Sequence, residues 1–538
     1  MHSSVKRYGP PLVSILVCWV YVGVLYRGVV TQLHGFFVYP LDDTYIHLAL
    51  ARNLALHQTW GIRPFQFASA SSSPGWTLLL AAVDILVGPH LLTPLLLNVV
   101  FAAGVVLAVD YGLRMLVPEV SDGLRVVGLL TIVLLTPLPN LVLLGMEHVA
   151  QIFTIVLLVV AGCDILAMSP EIPVSRSKQV LLVTAAFLAG CIRYEAVFAI
   201  VPLCGLLLWR RRVALAILVA ALAATMPLGF GLYSHHASGF WLPFSVVAKQ
   251  ALPHNRGLAR IAHLPFKWVI AMMVPLWLLN IRTLYFWHRV RLFTSFAFVI
   301  ILLHLLFAPV GAGMMRYESY LIALCLLTLE VTVYQIHYGE SWGRWFSSPS
   351  WADRGLVFIL VASFVVFTGQ SVRRSWILGT IGVQRACVDR YNSHIQMARF
   401  VASYYPDDTI AANDIGAIAY YTHASLLDIV GLGSVEPVSA ITSGHPMSAH
   451  DVAIWSSSRH AAIAIVQGSG IFADKVPPVW IHVWTWLIPR NVAYGDRTID
   501  FYAVDATDIP RLCRALRAFP LAPQDHEIPV KNVCPAMP

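Results

Sequence analysis

Runs of roughly 20 apolar residues, the length an α-helix needs to cross a hydrocarbon core of ~30 Å, recur from the N-terminus to about residue 372. Nothing else in the sequence restricts the fold as strongly. Charged residues make up only 12% of the chain, against roughly 25% in soluble domains, which excludes an ordinary soluble enzyme. Past residue 372, charges and prolines return at the frequency of a globular domain. The chain therefore divides into a membrane module, 1–372, and a C-terminal domain, 373–538.

The pattern predicts about eleven spans, at 11–30, 91–116, 124–144, 148–168, 178–192, 196–209, 213–233, 268–281, 293–310, 319–337 and 355–371. The apolar piece 76–88 carries Asp84 and reaches only about 20 Å, so it reads as a half-buried helix after a first outer loop, 31–75. Segment 178–209 reads as two short helices joined by Arg193-Tyr194-Glu195. Both of its ends are basic, and a single helix would carry two charges to the bilayer centre at ~2.5–3.5 kcal/mol each. Lys6 and Arg7 precede an apolar run without a small-residue cleavage site, the pattern of an uncleaved first span.

With the N-terminus inside, the basic turns near Arg114/Arg125, Arg176/Lys178, Arg210–Arg212, Arg282/Arg289/Arg291 and Arg344/Arg354 all fall on the cytoplasmic side. The net charge of +8 is accounted for by such loops and by lipid headgroups, and no nucleic-acid partner is expected. The outer side then holds 31–75, 145–148, 193–195, 234–267, 311–318 and the C-terminal domain. Strand patterns at 408–413, 426–430, 462–467 and 498–504, with a helix at 415–422, make that domain a small α/β fold. An extracytoplasmic domain permits one disulfide among Cys387, Cys513 and Cys534, with Cys513–Cys534 the pair favoured.

Four features on the outer side could carry chemistry. Asp42-Asp43 opens an amphipathic stretch that includes Tyr45 and His47; the pair reads either as helix capping or as a carboxylate base or cation ligand. Ser72-Ser73-Pro74 reads either as a helix cap or as open N–H groups for a phosphate or sugar. Arg193/Glu195, Arg316/Glu318 and Glu147-His148 stand at three outer helix ends, a candidate polar cavity wall. The loop 234–267 carries Lys249, Arg256, Arg260 and Lys267, suited to headgroups or to an anionic leaving group.

The order of these motifs resembles the GT-C fold glycosyltransferases, polytopic enzymes that use polyprenyl-phosphate sugars. The pattern is similar to their arabinofuranosyltransferase-like, protein-mannosyltransferase-like and ArnT-like bacterial members. The resemblance rests on Asp-Asp-x-x-Ile at Asp42, Ala-Arg-Asn-Leu-Ala at Ala51, Ser-Ser-Pro-x-Trp-Thr at Ser72 and Gly145-Met146-Glu147. It continues in Arg193-Tyr194-Glu195, Leu242-Pro243 to Lys249, and Asn413-Asp414-Ile415-Gly416 with Leu427-Asp428. Gly75, Tyr194 and Phe244 depart from it, standing where a bulky apolar residue, a Pro and an Asn are common.

The resemblance implies an enzyme of the bacterial inner membrane with its site facing the periplasm. It would move a sugar, with inversion, to a hydroxyl of an envelope glycan, lipid or protein. Asp42 or Asp43 would be the general base. Lys249, with Arg256 or Arg193, would hold the donor phosphate. Tyr45, His47, Ser72, Ser73, Glu147, His148, Glu195, Arg316, Glu318 and Asp414 would line the cavity. A divalent cation at Asp42-Asp43 stays open, with no clear third carboxylate in sequence reach. Two competing readings are a transporter or lipid flippase, and a non-catalytic protein working through its soluble domain. In the latter, Trp480, Trp484 and Trp486 would stack on sugars or pack a core.

Overall fold

The computed structural model describes residues 2–251, 267–308, 314–338, 351–444, 447–468, 474–488, 497–521 and 528–534. Its first half is helical: α1 (His2–Gln32), α2 (Asp42–His57), α3 (Pro74–Val87), α4 (Thr93–Leu116), α5 (Asp122–Leu135), α6 (Leu138–Leu144), α7 (His148–Leu166), α8 (Arg176–Ile192), α9 (Val197–Trp209) and α10 (Val213–Ser238). Among the described residues six helices are long and apolar enough to cross a membrane: Tyr8–Gln32, Thr93–Leu116, His148–Leu166, Val213–Ser238, Arg289–Phe307 and Ser319–Tyr338. A seventh is added if α5 and α6, bent by 42° at the Pro137-containing break, form one span. The remaining expected spans are helices too, at Arg176–Ile192, Val197–Trp209, Lys267–Thr283 and Trp351–Arg374, but their apolar lengths fall short of that test.

The break at 193 is real. Arg193 is extended, a turn of 3₁₀-helix covers Tyr194–Ala196, and α9 follows. Lys178 of α8 lies 2.7 Å from Asp164, and Arg210 after α9 donates to the Leu166 carbonyl at 2.8 Å, so both legs start and finish at the C-terminal end of α7. Arg193 meets Glu147 at the other end. The two legs therefore form a hairpin along α7. Two further basic turns gather at the Asp164 end, where Arg289 lies 3.2 Å from Asp164 and reaches the Met115 carbonyl while Arg114 and Arg125 hold Asp110; Arg344 and the Arg354 side chain lie outside the described residues.

Two glycines set the close approaches around α3 and α6. A Cβ on Gly75 would stand 2.4 Å from the Cys191 carbonyl, so α3 can lie against the end of α8 only because this position is bare. That accounts for the departure at Gly75. Gly145 ends α6 with φ +68°, where a side chain would also meet Tyr39 and Thr44.

The C-terminal part carries a six-stranded mixed sheet of order β2-β1-β3-β5-β4-β6. Its strands are β1 (Thr409–Ala412), β2 (Ser425–Asp428), β3 (Ala461–Gln467), β4 (Ile481–Leu487), β5 (Thr498–Ala503) and β6 (Val530–Asn532). β1 pairs in parallel with β2 and β3, and the remaining pairs are antiparallel. Four strands fall where the pattern puts them, whereas β4 and β6 are additional. β4 turns Trp484 and Trp486 into the core, with Trp486 stacked on Phe519; Trp480 is buried as well, so none of the three is an exposed sugar platform. Cys513 and Cys534 form a disulfide, and Cys387 is a buried thiol.

Candidate active site

α2 begins at Asp42, and its first turn carries both acids. They face different partners. Asp42 is 3% exposed, and each of its carboxylate oxygens accepts a backbone N–H from the Gly416–Tyr421 helix: Gly416 N at 2.6 Å and Ala417 N at 2.9 Å. Asp43 turns to the bundle, where Oδ2 accepts from Arg316 at 2.6 Å, and its side chain keeps 22% of its surface.

Asp414, in the turn just before the Gly416–Tyr421 helix, has a similarly open side chain and lies 3.4 Å from His394 Nε2. The Arg390 guanidinium packs against the same imidazole. Burial pushes the Asp42 carboxyl up, and Asp414 adds to that rise while His394 and Arg390 oppose it. Burial acts on Asp414 in the same sense, but His394 and Arg390 outweigh it and hold that carboxyl low.

Behind the acids, four separate sequence motifs join in one buried network. Thr77 donates to Ser71 Oγ at 3.0 Å, Ser71 also receives the Ser73 N–H at 3.0 Å, and its own hydroxyl lies 3.3 Å from His47 Nδ1. The Thr77 hydroxyl lies 3.2 Å from the same nitrogen, and His47 Nε2 faces Glu147 Oε2 at 3.7 Å. The other Glu147 oxygen is bonded to Arg193, whose fork closes on Glu195 at 2.6 and 3.0 Å. His148 Nε2 is 3.2 Å from Arg193, and Tyr317 lies between the Arg193 and Arg316 guanidiniums, 5.2 and 5.0 Å from its ring centre.

These placements correct several expectations. Ser73 holds the cap position of α3, yet its hydroxyl donates to the Ile192 carbonyl instead of capping; Ser72 beside it is half-buried. Tyr45 is fully buried among Tyr39, Tyr420 and Tyr421 and receives the Tyr39 N–H, so it packs the interface instead of lining a surface. Glu147, His148 and Glu318 are each no more than 1% exposed, inside the wall and not on it. Arg193 is engaged by two glutamates, which leaves it poorly placed to receive a phosphate. The Lys249 side chain and Arg256 lie outside the described residues. Arg52 belongs to the Ala51-Arg52-Asn53-Leu54-Ala55 stretch of the resemblance, whereas no local pattern marks Arg390 or His394.

Asp42, His394 and Asp414 bring one ligand atom each within 4.8 Å of one another, the spacing of a metal site. The fit is poor. Both Asp42 oxygens already accept backbone N–H groups, and the imidazole lies against a guanidinium, which supplies the positive charge a cation would bring.

Residues 384–502 match a family model described as a domain of unknown function, DUF8728. No curated protein sequence matches the chain. Among solved structures, ArnT from Cupriavidus metallidurans bound to undecaprenyl phosphate is similar over 93% of this chain and 99% of its own, with a TM-score of 0.54 and 12% identity. The oligosaccharyltransferase of Archaeoglobus fulgidus in its apo form is similar over 93% of this chain and 75% of its own, with a TM-score of 0.52 and 10% identity. The protein has the GT-C fold of these membrane glycosyltransferases.

Proposed function

We propose that the protein is an inverting membrane glycosyltransferase. It moves a sugar from a polyprenyl-phosphate donor to a hydroxyl of a cell-envelope glycan, lipid or protein. The observation that carries this reading is the convergence of Asp42, Asp43, Asp414 and Arg316 at one end of a GT-C bundle, opposite the end where the basic turns collect. The likeness to an ArnT structure holding undecaprenyl phosphate supports the donor class. In this reading the bundle, 1–372, crosses the membrane about eleven times, and the domain 373–538 lies outside. The positive-inside rule and the Cys513–Cys534 disulfide both favour that side.

The acceptor oxygen attacks the anomeric carbon on the face opposite the phosphate. The bond from that carbon to the phosphate oxygen breaks with its electron pair on the leaving polyprenyl phosphate. The acceptor proton passes to a carboxylate of the Asp42-Asp43 pair, useful chiefly as the attacking oxygen becomes positive in the transition state. Lys249 and Arg256 are the cations assigned to the departing phosphate. Arg316 and Arg390 take the place of a metal, so EDTA is expected to leave turnover unchanged, and stimulation of a stripped enzyme by Mn²⁺ would sink that part. The test of the whole is transfer by purified protein from polyprenyl-phosphate sugars. The Asp42→Asn/Asp43→Asn double variant should form no glycosidic bond. Wild-type transfer by that variant, or movement of substrate across vesicles without bond formation, would overturn the reading.

A further inference from the structure

Asp42 and Arg52 hold the two ends of one helix. The Gly416–Tyr421 helix has six residues, so the N–H groups of its first turn and the carbonyls of its last need partners from outside. Asp42 supplies acceptors to Gly416 and Ala417 at 2.6 and 2.9 Å. Arg52, about 15 Å further along α2, donates to the Ala419 and Tyr420 carbonyls at 3.1 and 2.5 Å. A negative charge thus meets the positive end of the short helix and a positive charge its negative end. The approach is so close that a Cβ on Gly416 would stand 2.2 Å from the Asp42 backbone oxygen, which leaves glycine as the only residue that fits.

We propose that α2 clasps the C-terminal domain through Asp42 and Arg52, so that Asp42 is a positioning residue and Asp43 is the general base. The second half rests on the transferase reading above; the clasp does not. Burial raises the proton affinity of Asp42, which taken alone would favour it as the base. Geometry takes precedence, because a base must first reach the proton it removes. Asp42 has a backbone donor on each oxygen and is 3% exposed, whereas the Asp43 side chain keeps 22% of its surface beside Arg316. The proton of the acceptor hydroxyl goes to Asp43 as its oxygen bonds the anomeric carbon and the phosphate leaves. Arg316 orients the carboxylate throughout.

The test pairs amide hydrogen exchange with kinetics on the full-length protein. Asp42→Asn and Arg52→Gln should each speed exchange over 416–421 by about 10-fold or more, Arg52→Lys should recover part of the protection, and Asp43→Asn should leave it as in wild type. Asp43→Asn should lower kcat by roughly 100-fold or more. Arg52→Gln and Asp42→Asn should instead raise the acceptor KM and keep the pH profile of kcat. Unchanged exchange in both Asp42→Asn and Arg52→Gln overturns the clasp. A loss of kcat in Asp42→Asn with protection intact, or wild-type kcat in Asp43→Asn, overturns the assignment of the base. A wild-type protein that forms no glycosidic bond removes the transferase reading, and with it the base, while the exchange data still decide the clasp. Arg52 carries that decision by itself should Asp42→Asn fail to fold.

Discussion

At one end of the bundle two buried carboxylates are each met by two cations: Asp110 by Arg114 and Arg125, Asp164 by Lys178 and Arg289. At the other end the ratio inverts. Arg193 is shared by Glu147 and Glu195, and the charge of Arg390 acts on both Asp42 and Asp414. Doubly held acids make a sealed anchor, and three of its four cations keep about a third of their side-chain surface in contact with the surroundings. A surplus of acid is costly to assemble in a folded chain, but under the proposed function it suits a reaction centre that becomes positive at the attacking oxygen and the sugar carbon. In the transferase reading the same residue types serve adhesion at one end and chemistry at the other, and the charge ratio separates the two.

The largest effect expected from this difference is at Arg193. Arg193→Met strips the shared guanidinium from the fully buried Glu147 and from Glu195 and should cost about 3–5 kcal/mol, read as a lower thermal midpoint in detergent; a negligible change would break the comparison. Asp428 extends the series to a carboxylate held by backbone N–H groups, those of Val430 at 2.8 Å and Gly433 at 2.6 Å. Burial pushes it up to about 6. Because the folded value lies above the unfolded ~3.9, the stability it contributes is complete below about pH 4 and lost as the pH rises through 6, roughly 3 kcal/mol in all. Unfolding of the C-terminal sheet should become easier over that window, and Asp428→Asn should flatten the trend; a wild-type midpoint constant from pH 4 to 7 would contradict it.

Gly416→Ala tests the acid-rich end sterically. The added Cβ must displace Asp42, with an expected loss of about 1–3 kcal/mol and release of the Gly416–Tyr421 helix to limited proteolysis. The smallest effect is reserved for the sealed end. Arg114→Ala leaves Asp110 with Arg125 at 2.6 Å and should shift stability by no more than ~1 kcal/mol. A loss as large as that of Arg193→Met would show that the two ends are neutralised alike.

Much of the architecture was legible because it is local. Apolar length places the helices, the charges of Arg193 and Glu195 break the hairpin where they would otherwise enter the bilayer, and four of the six strands follow from alternation. β4 does not follow from alternation although Ile481-His482-Val483-Trp484 has the β-branched and aromatic make-up of a strand, because a register shift between His482 and Trp484 breaks the two-residue period. The site was legible as a set of residues but not as a set of pairs. Arg193 and Glu195 do pair as the triplet suggests, while Arg316, in the same Arg-Tyr-Glu context, reaches across to Asp43, 273 residues away.

The sequence by itself determined the apolar runs that make a membrane bundle, the charged breaks between them and the presence of two adjacent acids after the first. Hydrophobic length and the cost of burying charge act on a segment wherever it later packs. Only the tertiary structure decided that those acids differ. The donors to Asp42 belong to a helix 374 residues further along the chain, brought within hydrogen-bond range by Gly416 and by Arg52 on α2. Neighbours in sequence on a helix point about 100° apart, and that turn sends Asp42 to the C-terminal domain and Asp43 to the bundle.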